Sequence, residues 1–268
     1  MVDFRGKNVI VSGAGQGIGF GLCRAFAAEG ANVVLNDIEA HLARQAATQI
    51  NDEIRGHRVL PFASDMADPA HSIDIVEFCN NSFGAPDVVV ANAGITHYVE
   101  FLNCTPDVFD RIVAVNLRGS YFLAQAAARN MAGNGIAGRI LLMSSVVGLR
   151  AFQNFSVYSM TKAALQMLAR SLALELGAYG ITVNAISPGA TLTERTQRDD
   201  PNYAENWATV NVSGRVGNVQ DVVAAALFLA SGAAAQITGH NLVVDGGWTL
   251  SSPLPDQHPE LPPEQDIP

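Results

Sequence analysis

The sequence of 268 residues predicts a single α/β domain in which seven parallel strands form a doubly wound sheet with helices on both faces. Short runs rich in β-branched residues alternate with longer segments of helical periodicity. Such alternation is typical of right-handed strand–helix–strand crossovers. Most of the short runs are apolar throughout, as expected for strands that helices cover on both faces.

The first half of the chain contains four of the predicted strands. They are "NVIVSG" at 8–13, "NVVLND" at 32–37, "HRVLPF" at 57–62 and "DVVVANAG" at 87–94. Helices are predicted between them at 18–29, 39–53 and 69–83. Each strand is thus joined to the next by a helix, the connection that parallel strands require.

The second half continues the pattern with longer helices. The strands are "RILLMSS" at 139–145, "ITVNAISPG" at 181–189 and "NLVVDGG" at 241–247, and the helices are 106–132, 156–179 and 219–231. Thr105, Pro106 and Asp107 supply a capping hydroxyl, a proline at the first helical position and an acid near the positive helix end. Ser156 is expected to cap the helix at 156–179 in the same way.

Domain boundaries follow from what interrupts this repeat. Residues 1–250 contain no linker and no charge run, so they are predicted to form one domain. Residues 190–214 are polar and irregular and follow a strand end, where ligands bind in such sheets, so we expect a flap over the substrate. Residues 251–268 form a Pro-rich acidic tail that is expected to be extended.

Charge and cysteine content exclude several functions. A formal net charge of -9 disfavours binding to nucleic acid and to anionic membranes. Cys23, Cys79 and Cys104 have neither disulfide nor metal-ligand spacing, so no metal site is predicted and a reducing compartment is favoured. With no signal segment before the first strand and no apolar run of membrane-spanning length, the sequence predicts a cytoplasmic protein.

A glycine-rich turn, "VSGAGQGIG", lies between the first strand and the first helix. Gly13, Gly17 and Gly19 give the spacing G-x-x-x-G-x-G. Glycines let the backbone turn tightly and approach a pyrophosphate, which the free N–H groups of the helix then bind. A plain tight turn is the alternative, but the strand–turn–helix context favours a dinucleotide site of Rossmann type.

Asp37, at the end of the second strand, follows Gly19 by 18 residues. An acid at this distance is suited to bind the adenosine ribose hydroxyls, and its charge repels a 2′-phosphate. NAD is therefore predicted rather than NADP. A solvated strand-end acid is the alternative for Asp37, and a helix cap is the alternative to an adenine contact for Asp65.

Tyr158 and Lys162 lie one helical turn apart in "SVYSMTKAAL". A cation beside a phenol favours the phenolate, which then serves as a proton acceptor for an alcohol. A surface tyrosine and lysine are the alternative for this pair alone. Ser145, which ends the strand "RILLMSS", can donate to a substrate oxygen, and Asn116 lies inside the long helix 106–132.

In order and spacing, this set resembles the short-chain dehydrogenase/reductase family over nearly the whole chain. Asn116, Ser145, Tyr158 and Lys162 match the catalytic tetrad of that family. Residues 12–19 resemble its nucleotide turn, "NAG" at 92–94 its sheet-supporting motif, and "SPG" at 187–189 the segment beside the nicotinamide. Three positions depart from the pattern: Ser12 replaces threonine, Ala91 replaces asparagine and Thr191 replaces an aliphatic residue.

The resemblance implies a role for each tetrad residue in hydride transfer between NAD(H) and a substrate carbon. Tyr158 is the general acid/base and Ser145 orients the reacting oxygen. Lys162 lowers the tyrosine pKa and holds the nicotinamide ribose, and Asn116 anchors a water that relays protons. The implied dinucleotide residues are Gly13, Gln16, Gly17, Ile18, Gly19, Asp37, Asp65, Met66, Asn92, Ala93, Gly94, Tyr158, Lys162, Pro188, Gly189, Thr191 and Thr193.

The substrate and the assembly are less closely defined by the sequence. The pocket is expected to use residues that follow the strand ends or lie in the flap: His97, Val147, Arg150, Phe152, Tyr203 and Trp207. A secondary alcohol or polyol is the predicted small-molecule substrate. A 3-ketoacyl-thioester reductase and a non-catalytic NAD-binding sensor or scaffold are the alternatives. The resemblance also implies a homotetramer, with a homodimer as the alternative.

Overall fold

The computed structural model describes residues 3–251, which contain the predicted seven-stranded sheet. Its strands are β1 (Asn8–Val11), β2 (Asn32–Asp37), β3 (Val59–Ala63), β4 (Val88–Ala91), β5 (Arg139–Met143), β6 (Thr182–Pro188) and β9 (Asn241–Val244). They lie in the order β3-β2-β1-β4-β5-β6-β9, and every neighbouring pair is parallel. The predicted fold class is confirmed. Of the predicted tail, residues 252–268 lie outside the described residues.

The helices agree with the predicted order. They are α1 (Gly17–Ala28), α2 (Ala40–Ile54), α3 (Pro69–Ser82), α4 (Pro106–Val113), α5 (Ser120–Gly133), α6 (Ser156–Leu176), α7 (Glu194–Asp199), α8 (Tyr203–Ala208) and α9 (Val219–Ala230). Within residues 3–251, no helix has the length and apolar character needed to cross a membrane.

Two segments differ from the prediction. The single helix expected at 106–132 is divided into α4 and α5 by a π-helical turn at Ala114–Gly119. The flap, expected to be irregular, contains α7 and α8 and is flanked by the paired short strands β7 (Thr191–Leu192) and β8 (Gly217–Asn218). Thr193 and Thr196 cap the start of α7 reciprocally, which stabilises a helix there. This helix was not predicted from the sequence because the segment is polar.

A local capping side chain fixes the start of α4 but not the start of α6. Thr105 caps α4 as predicted, because its hydroxyl accepts a hydrogen bond from the Val108 N–H at 3.4 Å. The predicted cap at Ser156 is wrong, since Ser156 is already helical and no side chain caps α6. The preceding Phe155 is buried against Tyr98 and Tyr158, so ring packing is what fixes the start of α6.

Both faces of the sheet are covered by apolar helix surfaces. Val9 and Val11 of β1 point to one core, which contains Phe26 of α1. Ile10 points to the other, which contains Leu123 of α5 and Leu165 of α6. This alternation explains why the strand sequences are apolar throughout.

The topology fixes where a ligand binds. The chain moves from β1 to β2 and β3 on one side, and then returns to place β4 on the other side of β1. A crevice opens at the carboxyl ends of two strands where such a reversal occurs. The glycine turn after β1 and the segment after β4 therefore flank the expected binding site.

Candidate active site

A cavity of about 780 Å³ lies at the carboxyl ends of the strands. Its volume is within the range of small-molecule sites. Every predicted dinucleotide residue lines it: Gly13, Gln16, Gly17, Ile18, Gly19, Asp37, Asp65, Met66, Asn92, Ala93, Gly94, Tyr158, Lys162, Pro188, Gly189, Thr191 and Thr193.

The glycine turn has the shape that a phosphate group requires. Gly13 has a φ of +61°, and a Cβ there would lie 2.7 Å from the Ala93 Cα. Gly17 has a φ of +60°, and a Cβ there would extend to within 3.7 Å of Thr193 across the cavity. No side chain caps the start of α1, so its first N–H groups are available to an anion.

Hydrogen bonds hold this turn against β4. The Ser12 hydroxyl accepts from the N–H groups of Asn92 and Ala93, both at 3.0 Å. The Asn92 amide donates to the carbonyl oxygens of Ser12 and Gly13 at 3.0 and 2.7 Å. Serine at position 12 keeps the hydroxyl that threonine would supply, so this departure from the family pattern leaves the contact intact.

At the far end of the cavity, two acids are held in place. The Asp37 carboxylate accepts from the N–H groups of Gly15 and Glu39 at 2.9 and 3.0 Å. Asp65 forms a salt bridge of 2.7 Å with Arg111. Burial acts to raise the pKa of Asp65, but the hydrogen bonds and charge of Arg111 hold it below its ordinary value. Asp68, not Asp65, caps α3.

The Tyr158 phenol lies at the centre of the cavity wall, with Ser145 and Thr96 as neighbours. Burial raises the pKa of Tyr158. Hydrogen bonding from Thr96, the charge of Arg195 and hydrogen bonding from Ser145 oppose the rise, whereas Tyr98 adds to it. The phenol is therefore neutral near pH 7 in this structure, and acid–base work requires further cationic stabilisation.

Lys162 is fully enclosed beside Tyr158. Its Nζ donates to the Met143 carbonyl at 2.7 Å and lies 5.5 Å from the centroid of the Tyr158 ring. Burial lowers the pKa of Lys162 to about 8. Burial of the phenol dominates the pKa of Tyr158, and the Lys162 ammonium is bound to a carbonyl oxygen, so the role of Lys162 in lowering the tyrosine pKa stays a prediction.

Asn116 does not line the cavity but lies directly behind it, buried in the π-helical turn. Its side chain accepts from the Ile95 N–H at 2.8 Å and donates to the Ile95 carbonyl at 3.0 Å. A Cβ on Gly94 would lie 3.4 Å from both the Asn116 Oδ1 and the Lys162 Nζ. Because residue 94 is a glycine, no side chain stands between Asn116 and Lys162.

A buried polar network, which the sequence did not reveal, fixes α6 to the sheet. The Gln166 amide donates to the Ser144 hydroxyl at 3.1 Å and to the Ser187 hydroxyl at 3.4 Å. Ser144 in turn donates to the Lys162 carbonyl at 2.7 Å, and Ser187 donates to Asn241 at 2.7 Å. The network links α6 with β5, β6 and β9, and so holds the backbone of Lys162 in place.

The substrate side of the cavity is an aromatic wall. Of the predicted substrate residues, Val147, Phe152, Tyr203 and Trp207 line it. His97 and Arg150 do not: His97 is exposed, and the Arg150 guanidinium is turned away to donate to the Thr249 carbonyl. Sequence reasoning missed several lining residues that come from separate segments, among them Thr96, Phe155, Arg195 and Trp248.

The rings of this wall are in contact with one another. Phe152 lies 5.6 Å from Trp248 and 6.4 Å from Trp207, and the two tryptophans are 5.9 Å apart, all between ring centroids. Tyr203 lies 5.9 Å from Trp207, and Phe155 lies 5.4 Å from Tyr158. Burial raises the pKa of Tyr203 to about 12, so it remains a neutral hydrogen-bonding group at the wall.

Comparison with known proteins identifies related chains. A family model described as Enoyl-(Acyl carrier protein) reductase matches residues 13–249. An L-rhamnose 1-dehydrogenase (NADP(+)) from Thermoplasma acidophilum is 36% identical, and the alignment covers 94% of this chain and 99% of the relative. A galactitol 2-dehydrogenase (L-tagatose-forming) from Cereibacter sphaeroides is 35% identical over 91% of this chain and 96% of the relative.

Solved structures share the fold over the same extent. A short-chain type dehydrogenase/reductase from Mycobacterium marinum superposes with a TM-score of 0.87 and 31% identity, and covers 93% of this chain and 98% of its own. The similarity includes the glycine turn, the segment after β4 and the strand ends that form the cavity, because all of them lie within the matched residues.

Proposed function

Because the chain belongs to the short-chain dehydrogenase/reductase family, we propose that it is an NAD-preferring enzyme that interconverts a secondary alcohol or polyol with its ketone. It is an oxidoreductase that acts on CH–OH groups with a nicotinamide cofactor. The observation that carries the proposal is the convergence of Ser145, Tyr158 and Lys162 on one wall of the cavity that the glycine turn closes.

The residues present fit a nicotinamide dinucleotide. The glycine turn leaves a cradle that a Cβ at Gly17 would narrow, and the uncapped start of α1 suits a pyrophosphate. Asp37 would hold ribose hydroxyls, and Lys162 would hold those of the nicotinamide ribose. When bound, the cofactor supplies or accepts the hydride.

The preference for NAD rests on Asp37. Its carboxylate is fixed beside the glycine turn, where it would repel a 2′-phosphate. Arg111, a cation that also lines the cavity, is paired with Asp65. The Thermoplasma relative is named for NADP(+), so the preference of this chain needs a direct test. Asp37→Ala should lower the ratio of kcat/KM with NAD to kcat/KM with NADP. An unchanged ratio would mean that Asp37 does not determine the cofactor preference.

The residues of this chain perform the proton chemistry. In alcohol oxidation, Tyr158 as phenolate accepts the substrate hydroxyl proton while Ser145 donates to the same oxygen. In ketone reduction, the phenol returns that proton. The Ser144–Gln166 network holds the backbone of Lys162 in place on α6, so the lysine charge stays near Tyr158 during both oxidation and reduction. Asn116 fixes the segment after β4 through Ile95.

A polyhydroxylated substrate is supported by the relatives and by the cavity. The similar proteins are named for a sugar and for a sugar alcohol. Aromatic faces such as Trp207 and Trp248 suit the C–H face of such molecules, and the hydroxyls of Thr96 and Tyr203 suit their polar edge. The description of the family model favours acyl-thioester reduction as the alternative.

The deciding experiment follows reduced nicotinamide by absorbance with NAD and then NADP. The panel contains L-rhamnose, galactitol, simple secondary alcohols and, in the reducing direction, a ketoacyl thioester and an enoyl thioester. We expect turnover with NAD on a sugar or polyol and its loss in Tyr158→Phe. Turnover on a thioester alone would replace the proposal with the alternative. NAD binding without turnover of any substrate would favour a sensor.

We also propose that the protein is a homotetramer of the cytoplasm. The helices α5 and α6 expose large apolar side chains, Tyr121, Met160, Met167 and Leu174, which a second copy of the chain would cover. All three cysteines are free thiols, which suits a reducing compartment. Light scattering after gel filtration tests the assembly: a monomeric mass at micromolar concentration would contradict it.

A further inference from the structure

The flap brings a second cation to the wall that holds Tyr158. Arg195, on α7, donates from its Nη2 to the Thr96 Oγ1 at 3.3 Å. Arg195, Thr96 and Tyr158 line the same cavity, and hydrogen bonding from Thr96 opposes the rise that burial causes in the pKa of Tyr158. A guanidinium is therefore bound to the hydroxyl that acts on the phenol.

This arrangement differs from that of Lys162. The lysine ammonium is bound to the Met143 carbonyl and lies 5.5 Å from the centre of the Tyr158 ring. Burial raises the pKa of Tyr158 and of Tyr203, and the positive charge that opposes this rise at both phenols is that of Arg195. The cation on the flap thus acts on the phenol from the side where the substrate enters.

Other charged and titratable groups face the same space. On the tyrosine side they are Tyr98 and Lys162, and on the flap side they are Glu194, Asp199, Asp200 and Tyr203. Among residues 3–251, no carboxylate lies within 4 Å of the Arg195 guanidinium, whereas the neighbouring Arg198 pairs with Asp199 at 3.6 Å. The charge of Arg195 is therefore not cancelled by an ion pair within that part of the chain.

We propose that Arg195 is a positioning residue that acts through Thr96 to stabilise the phenolate of Tyr158. The inference rests on the proposed function, since it assigns Tyr158 the acid–base role. Only one proton moves, between the substrate hydroxyl and the phenolate, and Arg195 and Thr96 keep their own protons. Because Arg195 belongs to the flap, this stabilisation of the phenolate depends on α7 lying over the cavity.

The pH dependence of kcat/KM for alcohol oxidation tests this relay. In Arg195→Gln the acidic limb should move up by about one pH unit, so kcat/KM falls about tenfold on that limb and recovers at higher pH. Thr96→Val should shift the acidic limb equally, and the double variant should shift it no further.

The conservative variants Arg195→Lys and Thr96→Ser should bring the acidic limb part of the way back to its wild-type position. Arg198→Gln, on the same helix but outside the cavity, should leave the profile unchanged.

Two results would overturn the proposal. An equal loss of kcat/KM at every pH in Arg195→Gln would mean that the guanidinium binds substrate only. Additive shifts in Arg195→Gln and Thr96→Val would mean that the two residues act separately. Either result leaves the proposed function intact, because turnover itself would remain.

A second measurement needs no substrate. The ultraviolet absorbance of tyrosinate is titrated in the NAD-loaded protein, and the titration of the matching Tyr158→Phe protein is subtracted. Arg195→Gln should move the Tyr158 component to higher pH, and an unmoved component would refute the relay. If the substrate panel fails, the proposed function fails, but this titration still decides whether Arg195 acts on the phenol.

Discussion

The helix α6, which carries Tyr158 and Lys162, and the flap line the same cavity but are built in opposite ways. Around α6, Gln166, Ser144 and Ser187 form a buried hydrogen-bond network that reaches β5, β6 and β9. In the flap, neither α7 nor α8 contains a buried residue, and their hydrogen bonds are mostly local. The proposed function thus places its chemistry on a region held by a buried network, and its substrate recognition on one held mainly by local contacts.

The largest expected effect is the loss of the proton acceptor. Tyr158→Phe should lower kcat/KM by about 1,000-fold, since the phenyl ring keeps the packing but has no proton to exchange. NAD affinity, measured by calorimetry, should stay within a few fold. Equal losses of NAD affinity and of kcat/KM would contradict this prediction, because they would show that Tyr158 does not act on turnover alone. Tyr179→Phe, an exposed tyrosine beyond α6, is the matched control.

The second prediction concerns Lys162, which the proposed function requires but whose burial is costly to the fold. With a pKa of about 8, its charged form is disfavoured by the folded state. Lys162→Met should therefore raise the free energy of unfolding at pH 7 by about 2 kcal/mol, after the cost of the unpaired Met143 carbonyl, while kcat/KM falls about 100-fold.

The pH dependence gives the sign of this effect. The folded pKa of Lys162 lies below the unfolded value, so the penalty is complete below pH 8 and disappears as pH rises toward the unfolded pKa. The stability difference between Lys162→Met and wild type should shrink over that interval in urea titrations. Lys7→Met, which alters a half-exposed lysine, should show no such trend.

The third prediction tests the fixed region away from the reacting atoms. Gln166→Leu removes the donor shared by Ser144 and Ser187, so the free energy of unfolding should fall by about 2 kcal/mol. Turnover should fall about tenfold, because Lys162 and Ser145 lose their common support. Gln49→Leu, on the exposed surface of α2, should change neither quantity. Unchanged stability in Gln166→Leu would mean that the network is not what fixes α6.

The smallest effect is expected in the flap. Trp207→Ala should raise KM about fivefold through the loss of one ring from the aromatic wall. The midpoint of thermal unfolding should not change, since α8 buries no residue. Val210→Ala, beside α8 but outside the cavity, is the control. A large fall in the unfolding midpoint would show that the flap supports the fold after all.

The same contrast explains what the sequence predicted well. The parallel sheet and the binding of a ligand at its strand ends follow from the alternation of strand and helix periodicity along the chain, which is a property of regular backbone. The residues of the glycine turn and of the cavity wall at α6 follow because strand ends and helix pitch fix their positions. Asp37, Tyr158 and Lys162 all line the cavity for this reason.

The site residues that the sequence did not predict depend on the orientation of individual side chains. Arg150 follows β5 closely, yet its guanidinium bonds to the Thr249 carbonyl. Trp248 and Arg195 reach the cavity from distant parts of the chain, so no local pattern marks them. Gln166 is hidden for another reason, since a single buried amide does not disturb the apolar periodicity of a long helix.

The π-helical turn at Ala114–Gly119 has an evolutionary consequence. Such a turn is equivalent to one residue inserted into a regular helix. Deleting a residue from it would restore an unbroken helix in which α4 and α5 keep their faces toward the core, but the residues of the turn itself would move. Asn116, which lies in the turn, would then lose its alignment with Ile95. Single-residue deletions here should be eliminated by selection, while length variation is tolerated in the flap.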